Sequence, residues 1–132
     1  MTAQEALLAV AKAALASLDG VRVYDGPPVR ASVPYAVVEI GPETDWGHKS
    51  GIGREGRLAV TLRDKSETPA RLRRLMGEAE GAIAGIGAVT GWSLVTLHYL
   101  RGRVVREGTS NAPQAWAGVI EFRVRMLAAG SG

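Results

Sequence analysis

The chain has 132 residues, 46% hydrophobic and 22% charged, with a formal net charge of +3 and a pI of about 9.7. That is one domain's length with enough apolar mass to bury a core, which excludes disorder of the chain as a whole. It contains no cysteine, which excludes disulfides, cysteine-ligated zinc, iron–sulfur clusters and thiol catalysis together.

The opening does not read as a signal peptide: Thr2, Gln4 and Glu5 precede the apolar residues and no basic stretch leads them. The apolar run from Ala6 to Leu18 is interrupted by Lys12 and Ser17 and is too short to span a bilayer. The spacing instead predicts a helix over Thr2–Leu18. Thr2 and Glu5 make a capping-box pattern, and Leu7, Leu8, Ala11, Ala14, Leu15 and Leu18 recur at helical intervals. Asp19-Gly20 ends it, the glycine being free to turn left-handed. A short strand, Val21–Tyr24, follows and stops at Asp25-Gly26-Pro27-Pro28. The proline-rich loop to Pro34 cannot donate to a sheet ladder, so it crosses a surface or an edge.

Tyr35 to Arg63 dominates the sequence. It opens with the β-rich run Tyr35–Ile40 and closes with the alternating run Leu58–Arg63. Between them lies a polar, Gly- and Pro-rich stretch too long for a simple turn, carrying Asp45, an exposed-looking Trp46, His48, Lys49, Ile52 and Arg54. Long connections of this kind in compact domains carry function or move, so this arm is the candidate for contacting a neighbour.

A second helix is predicted over Ser66–Ile86, with Thr68 as N-cap, Pro69 at the first helical position and a stripe of Leu72, Leu75, Met76, Ala79, Ala82, Ile83 and Ile86. Gly77, Gly81 and Gly85 weaken it, and their four-residue spacing suits close approach of another backbone. Trp92–Leu100 reads as a strand continuing past a kink at Gly102 to Val105. Simple alternation puts Trp92, Leu94, Thr96, His98 and Leu100 on one face and Val95, Leu97 and Tyr99 on the other, as in a central strand or one covered by a partner. A turn is expected between Arg106 and Gln114, and then a last strand, Ala115–Leu127. There Trp116, Gly118, Ile120, Phe122, Val124 and Met126 face inward and Ala117, Val119, Glu121, Arg123 and Arg125 outward.

The order α-β-β-β-α-β-β predicts an α+β fold, a mainly antiparallel sheet with two helices packed on one face. Residues 1–127 read as one domain and 128–132 as a flexible tail.

Catalytic chemistry is poorly supported. His48 and His98 are the only histidines; no HExxH, GxSxG or Walker loop occurs. Asp45 and His48 could share a metal, but two ligands from one loop make no recognisable site. Gly51-Ile52-Gly53-Arg54-Glu55-Gly56 matches GxGxxG literally, yet it precedes a strand where a dinucleotide fingerprint follows one. No cofactor or metal is expected. Arginines are more telling. Arg57, Arg63, Arg123 and Arg125 fall on outward strand positions, and Arg101, Arg103 and Arg106 cluster near the last turn. They suit a solvated face or phosphate contact. With a single phenylalanine in the chain, base stacking is poorly supported.

The whole chain, Thr2 to Met126, resembles the tail-completion or tail-terminator proteins of long-tailed phages and gene transfer agents. The carriers are the amphipathic first helix, Arg22-Val23-Tyr24-Asp25 before prolines, Val33-Pro34-Tyr35-Ala36-Val37-Val38, and Asp45 with Lys49. Gly56-Arg57-Leu58-Ala59-Val60-Thr61-Leu62 follows, then a final hairpin with Leu94-Val95, Val104-Val105-Arg106-Glu107 and Ala117-Gly118-Val119-Ile120-Glu121-Phe122-Arg123. At the last turn the chain departs from the pattern, with Ser110-Asn111-Ala112-Pro113-Gln114 where many relatives have Asp-Gly.

The resemblance implies a structural protein and not an enzyme: a hexameric ring that caps the head-proximal end of the tail tube and stops its polymerisation. Its implied partners are other copies of itself, the tail tube protein, the head–tail connector or stopper, and double-stranded DNA passing without sequence specificity, with no membrane. It implies assembly in a bacterial cytoplasm and a place in a virion or virion-like tail. On that reading Asp45, Trp46, His48, Lys49, Ile52 and Arg54 are subunit- or tube-interface candidates. Arg57, Arg63, Arg101, Arg103, Arg106, Arg123 and Arg125 are lumen- or DNA-facing ones. The residues alone leave two alternatives, a small basic nucleic-acid-binding module and a small-ligand binder or enzyme using Asp45, His48 and the glycines of the GxGxxG match.

Overall fold

In the computed structural model, which describes residues 1–108 and 114–129, the chain folds as α1 (Ala3–Leu15), β1 (Arg22–Tyr24), β2 (Tyr35–Ile40), β3 (Thr44–Asp45), β4 (Gly53–Lys65), α2 (Ala70–Ala84), β5 (Trp92–Glu107) and β6 (Ala115–Ala128). The strands form one sheet in the order β1-β2-β4-β6-β5, with β3 paired to the start of β4. Only β1 and β2 run parallel. Both helices pack on one face. The α+β expectation and its element order therefore hold, with the two-residue β3 added inside the second connection.

α1 begins as the capping box dictates: Glu5 N–H donates to Thr2 Oγ1 at 3.1 Å and Thr2 N–H to Glu5 Oε1 at 3.3 Å. Its regular turns end at Leu15, short of the predicted Leu18, because Ser17 and Leu18 donate to the carbonyls three residues back and tighten the last turn. Gly20 then takes φ +72°, as the Asp-Gly stop requires. α2 starts one residue later than predicted, with Pro69 at the cap position; the Thr68 hydroxyl accepts from Ala70 N–H at 3.4 Å.

The core lies between the helix stripes and the inward strand positions. Leu7, Ala11 and Leu15 of α1 and Leu72, Leu75, Ala79 and Ile83 of α2 cover Val38, Leu58, Val60, Leu62, Ile120, Phe122 and Val124. Gly118 faces this layer because Met76 packs where a Cβ would stand. By contrast, Gly77 and Gly81 have open space over them, so among the described residues no second backbone uses the approach their spacing allows.

β5 departs most from expectation. It is an edge strand, and its register against β6 slips between Leu94 and Thr96 and again between Tyr99 and Arg101. Each slip is a bulge, which reverses the inward–outward parity beyond it. Leu97 therefore joins Leu94 on the helix side, and Tyr99 meets Phe122 edge-on at a centroid distance of 5.6 Å. Thr96 and His98 turn to the opposite face, so the faces assigned by simple alternation are corrected. Gly108 ends the strand at φ +76°, and the atypical turn through Ser110–Pro113 lies outside the described residues. At the C-terminus Ala128 closes β6 and Ala129 N–H donates to Gly91 O at 3.0 Å. The rest of the expected tail, 130–132, lies outside the described residues.

Candidate functional site

Two surfaces gather the residues singled out by sequence: the sheet face opposite the helices, and a hairpin extension at one end of the sheet.

The extension is the predicted arm, shorter and better anchored than expected. β4 starts at Gly53, because Gly53–Arg57 pair with Arg123–Leu127 of β6 on one side and Arg54 and Glu55 pair with β3 on the other. This places Gly53 and Gly56 of the GxGxxG match inside a strand, so these glycines belong to the sheet and not to a flexible loop. A Cβ on Gly53 would collide with the Trp46 carbonyl oxygen, so the site needs glycine for close backbone approach. The free part is a tight tip: Trp46 N–H donates to Gly53 O at 2.9 Å, and His48 and Gly51 exchange bonds of 2.9 and 3.1 Å around Lys49-Ser50. Ala128 N–H donates to Ile52 O at 2.8 Å and ties the tip to the end of β6.

The six interface candidates therefore divide. Trp46 is half-buried, not exposed as expected; His48 meets its ring edge-on at 4.9 Å and the Arg125 guanidinium carbon lies 5.5 Å from its centroid. Arg54 holds Glu43 at 3.0 Å, with Asp45 at 3.6 Å. Both side chains stiffen the extension. Asp45, whose Oδ1 accepts from Gly47 N–H at 3.1 Å, is exposed, as are His48, Lys49 and Ile52. Among the described residues no group of three or more His, Asp or Glu side chains is placed to hold a metal.

On the bare sheet face the register brings Arg57, Arg63, Arg101, Arg103, Arg123 and Arg125 together. Arg106 has the other parity, opposite Trp116, and is not part of this group. Sequence reasoning set Glu121 outward beside Arg123 and Arg125 but did not pair it, and it overlooked Glu55 and Glu107. Arg125 Nε donates to Glu55 Oε2 at 2.5 Å, Arg63 Nε to Glu107 Oε1 at 3.1 Å, and Arg101 Nη2 to Glu121 Oε2 at 3.1 Å. The available signal was parity, since Glu55 and Glu121 sit an even number of residues from the outward arginines. Among the described residues one row has no ion pair: Arg57, Arg123 and His98 lie side by side across three strands, and Arg123 Nε is buried without a hydrogen-bond partner. Arg57 and Arg123 stand directly opposite one another, an arrangement of like charges that disfavours pairing.

The Arg125 hydrogen bond, with the further attraction of Arg125, Arg123 and Arg57, holds the Glu55 carboxyl below its ordinary value of 4.5. Its folded-state value lies below the unfolded one, so the contribution is present above 4.5 and is lost as pH falls through the folded value. Glu55→Gln is accordingly expected to flatten the loss of stability on acidification. Parallel denaturant titrations of the two proteins, from neutral pH into the acid range, check this; identical slopes would sink it.

The chain is thus a small α+β domain with one helix-free, arginine-rich sheet face and a stiff hairpin at its end. The family model described as "Tail completion protein gp17" matches residues 5–127. The chain belongs to this family of phage tail-completion proteins, and its role is that of a tail structural protein. Among solved structures, a chain titled "Virion of native gene transfer agent (GTA) particle" is similar, with a TM-score of 0.69 and 24% identity over 96% of this chain and 95% of that one. At that identity the likeness shows the fold. No curated protein matches the chain.

Proposed function

We propose that the chain is a non-catalytic tail terminator. Copies close into a hexameric ring on the head-proximal end of a phage-like tail tube, end its polymerisation and join it to the head connector or stopper. Double-stranded DNA passes through the lumen. The observation that carries the DNA part is the bare face with its arginines and interleaved acids. Arginine attracts phosphate regardless of sequence, and the glutamates hold three of the six arginines, which limits grip on a duplex that must slide. The tip supplies Asp45, His48, Lys49 and Ile52 for contact with the tube or a neighbouring copy.

Deletion of residues 47–52, joining Trp46 to Gly53, tests the tip. The shortened chain is expected to melt cooperatively like the parent, because the core lies wholly outside the tip. It is expected to fail in capping, so that tails grow beyond their normal length in electron micrographs. Tails of normal length capped by the deletion variant would remove the tip from the mechanism. Steep salt-dependent binding of free duplex by the isolated wild-type chain would favour a nucleic-acid-binding module instead.

A further inference from the structure

The two edges of the sheet are unlike, and each carries a groove where the helix layer stops short. At the β5 edge a groove of about 390 Å³ opens between α2 and β5, floored by Met76, Val104 and Ile120. Gly77 lies along its α2 wall with nothing within 4 Å of where a Cβ would stand, so the wall has a gap there between its side chains. Arg73, Glu80 and Arg103 border it. Val95, Tyr99 and Val105, three of the exposed large hydrophobic residues, lie along the same strand.

At the other edge β1 covers only Tyr35–Val37 of β2. The chain then returns through residues 25–34 past this outermost strand to begin β2. On that crossover Val29 is fully exposed, directly after Pro27-Pro28, which restrict the backbone before it. Asp25 is exposed beside a groove of about 380 Å³ that it lines with Glu5 and Glu39. The cations of this edge are Lys12, 3.8 Å from Asp25, together with Arg22 and Arg30.

An isolated, fully exposed valine on a proline-stiffened loop is a knob without a hole in its own chain, and the groove at the opposite edge is a hole without a knob. Charges of both signs are available for matching: Asp25 precedes the knob and Arg30 follows it, while Arg73, Arg103 and Glu80 all border the groove. Addition of a neighbour's strand to β5 is the less favoured use of this edge, because the two bulges and Arg101 and Arg103 blunt it.

We propose that the groove between α2 and β5 receives the Asp25–Arg30 loop of the next copy of this chain, with Val29 seated over Gly77 and Val104. The two surfaces lie on opposite edges, so the contact is head-to-tail, and repeated with a closing rotation it makes a ring. The inference rests on the ring reading above and assigns its subunit contact.

The cysteine-free chain allows a clean test. Val29→Cys and Gly77→Cys are introduced together and singly, and particles carrying each variant are oxidised and run on a non-reducing gel. The double variant is expected to give a ladder that ends at the number of subunits in the ring, and each single variant only monomer. Gly77→Leu in the full-length chain is the second arm. Open space accepts the side chain and leucine favours helix over glycine, so its melting temperature should not fall while ring closure is lost. Wild-type rings on imaged tails with no ladder from the double variant, or Gly77→Leu closing rings as the parent does, overturn this interface and leave the ring intact. Tails whose wild-type terminator forms no ring overturn the ring reading, and this contact with it.

Discussion

Phe122→Ala is expected to cost about 3–5 kcal/mol, the largest loss from any single truncation in the sheet. Phe122 is the bulkiest of the fully buried side chains and stands in β6, between β4 and β5. The register sets it opposite Leu58 on one side and Tyr99 on the other, and Tyr99 meets it ring-to-edge. Its removal opens a cavity under the helix layer and also takes away an anchor of the edge strand. The loss is large against the roughly 5–15 kcal/mol total of a small domain. Denaturant midpoints read it directly, and Phe122→Leu, which keeps most of the volume, should cost only about 1–1.5 kcal/mol. Amide hydrogen exchange along β5 should rise more than along β2, because β5 has one paired neighbour and loses an anchoring contact across it. A cost below about 1 kcal/mol for Phe122→Ala would contradict this account of the core.

Arg71→Ala should come next, at about 2 kcal/mol, and should exceed the cost of Asp64→Ala. Among the described residues Asp64 is the buried polar or charged one, and its carboxylate accepts from Arg71 Nε at 2.7 Å and also from Nη2. The pair is lopsided: the Asp64 side chain is 1% exposed and that of Arg71 is 45% exposed. Removing the arginine leaves a buried carboxylate without its counter-charge, whereas removing the aspartate lets the arginine return to water. Asp64→Asn combined with Arg71→Ala should recover part of the loss, since the amide carries no charge to desolvate. Thermal or denaturant unfolding of the set checks the order. The fork fastens the end of β4 to the first turn of α2, next to Trp116 Nε1, which donates to Ser66 O at 2.9 Å. This junction positions α2 and with it the wall of the β5-edge groove.

Much of the fold was legible because local chemistry announced it. Thr2 and Glu5 are a cap whatever they pack against, Asp19-Gly20 is a stop, and the stripe Leu72, Leu75, Ala79, Ile83 has a helix's period. Alternation in Ala115–Leu127 marked Ile120, Phe122, Val124 and Met126 as inward, and they are buried. The ordered run of such features, with Pro34-Tyr35 and the last two strands, also carried the family resemblance that the match over 5–127 supports. The arginines stood out by type and parity.

What escaped depends on pairing across the chain. Gly53–Arg57 have too little apolar alternation to read as a strand, and become one because β3 and β6 supply partners on both sides. Trp46 looked exposed because the Arg125 that covers it lies far along the chain. Bulges at Val95 and Leu100 exist only relative to β6, so the parity of β5 could not be read from β5 itself.

By itself, then, the sequence determined the elements, the inward stripes, the α+β class and the family, all of which rest on contacts within a few residues or on their order. Tertiary structure alone decided that β5 is an edge, that the arm is a pinned hairpin, that Glu55, Glu107 and Glu121 temper the arginine face, and that Val29 and the α2–β5 groove lie at opposite edges. The physical reason is that strand order and register are set by hydrogen bonds between distant segments, whose free energy depends on both partners and is written in neither.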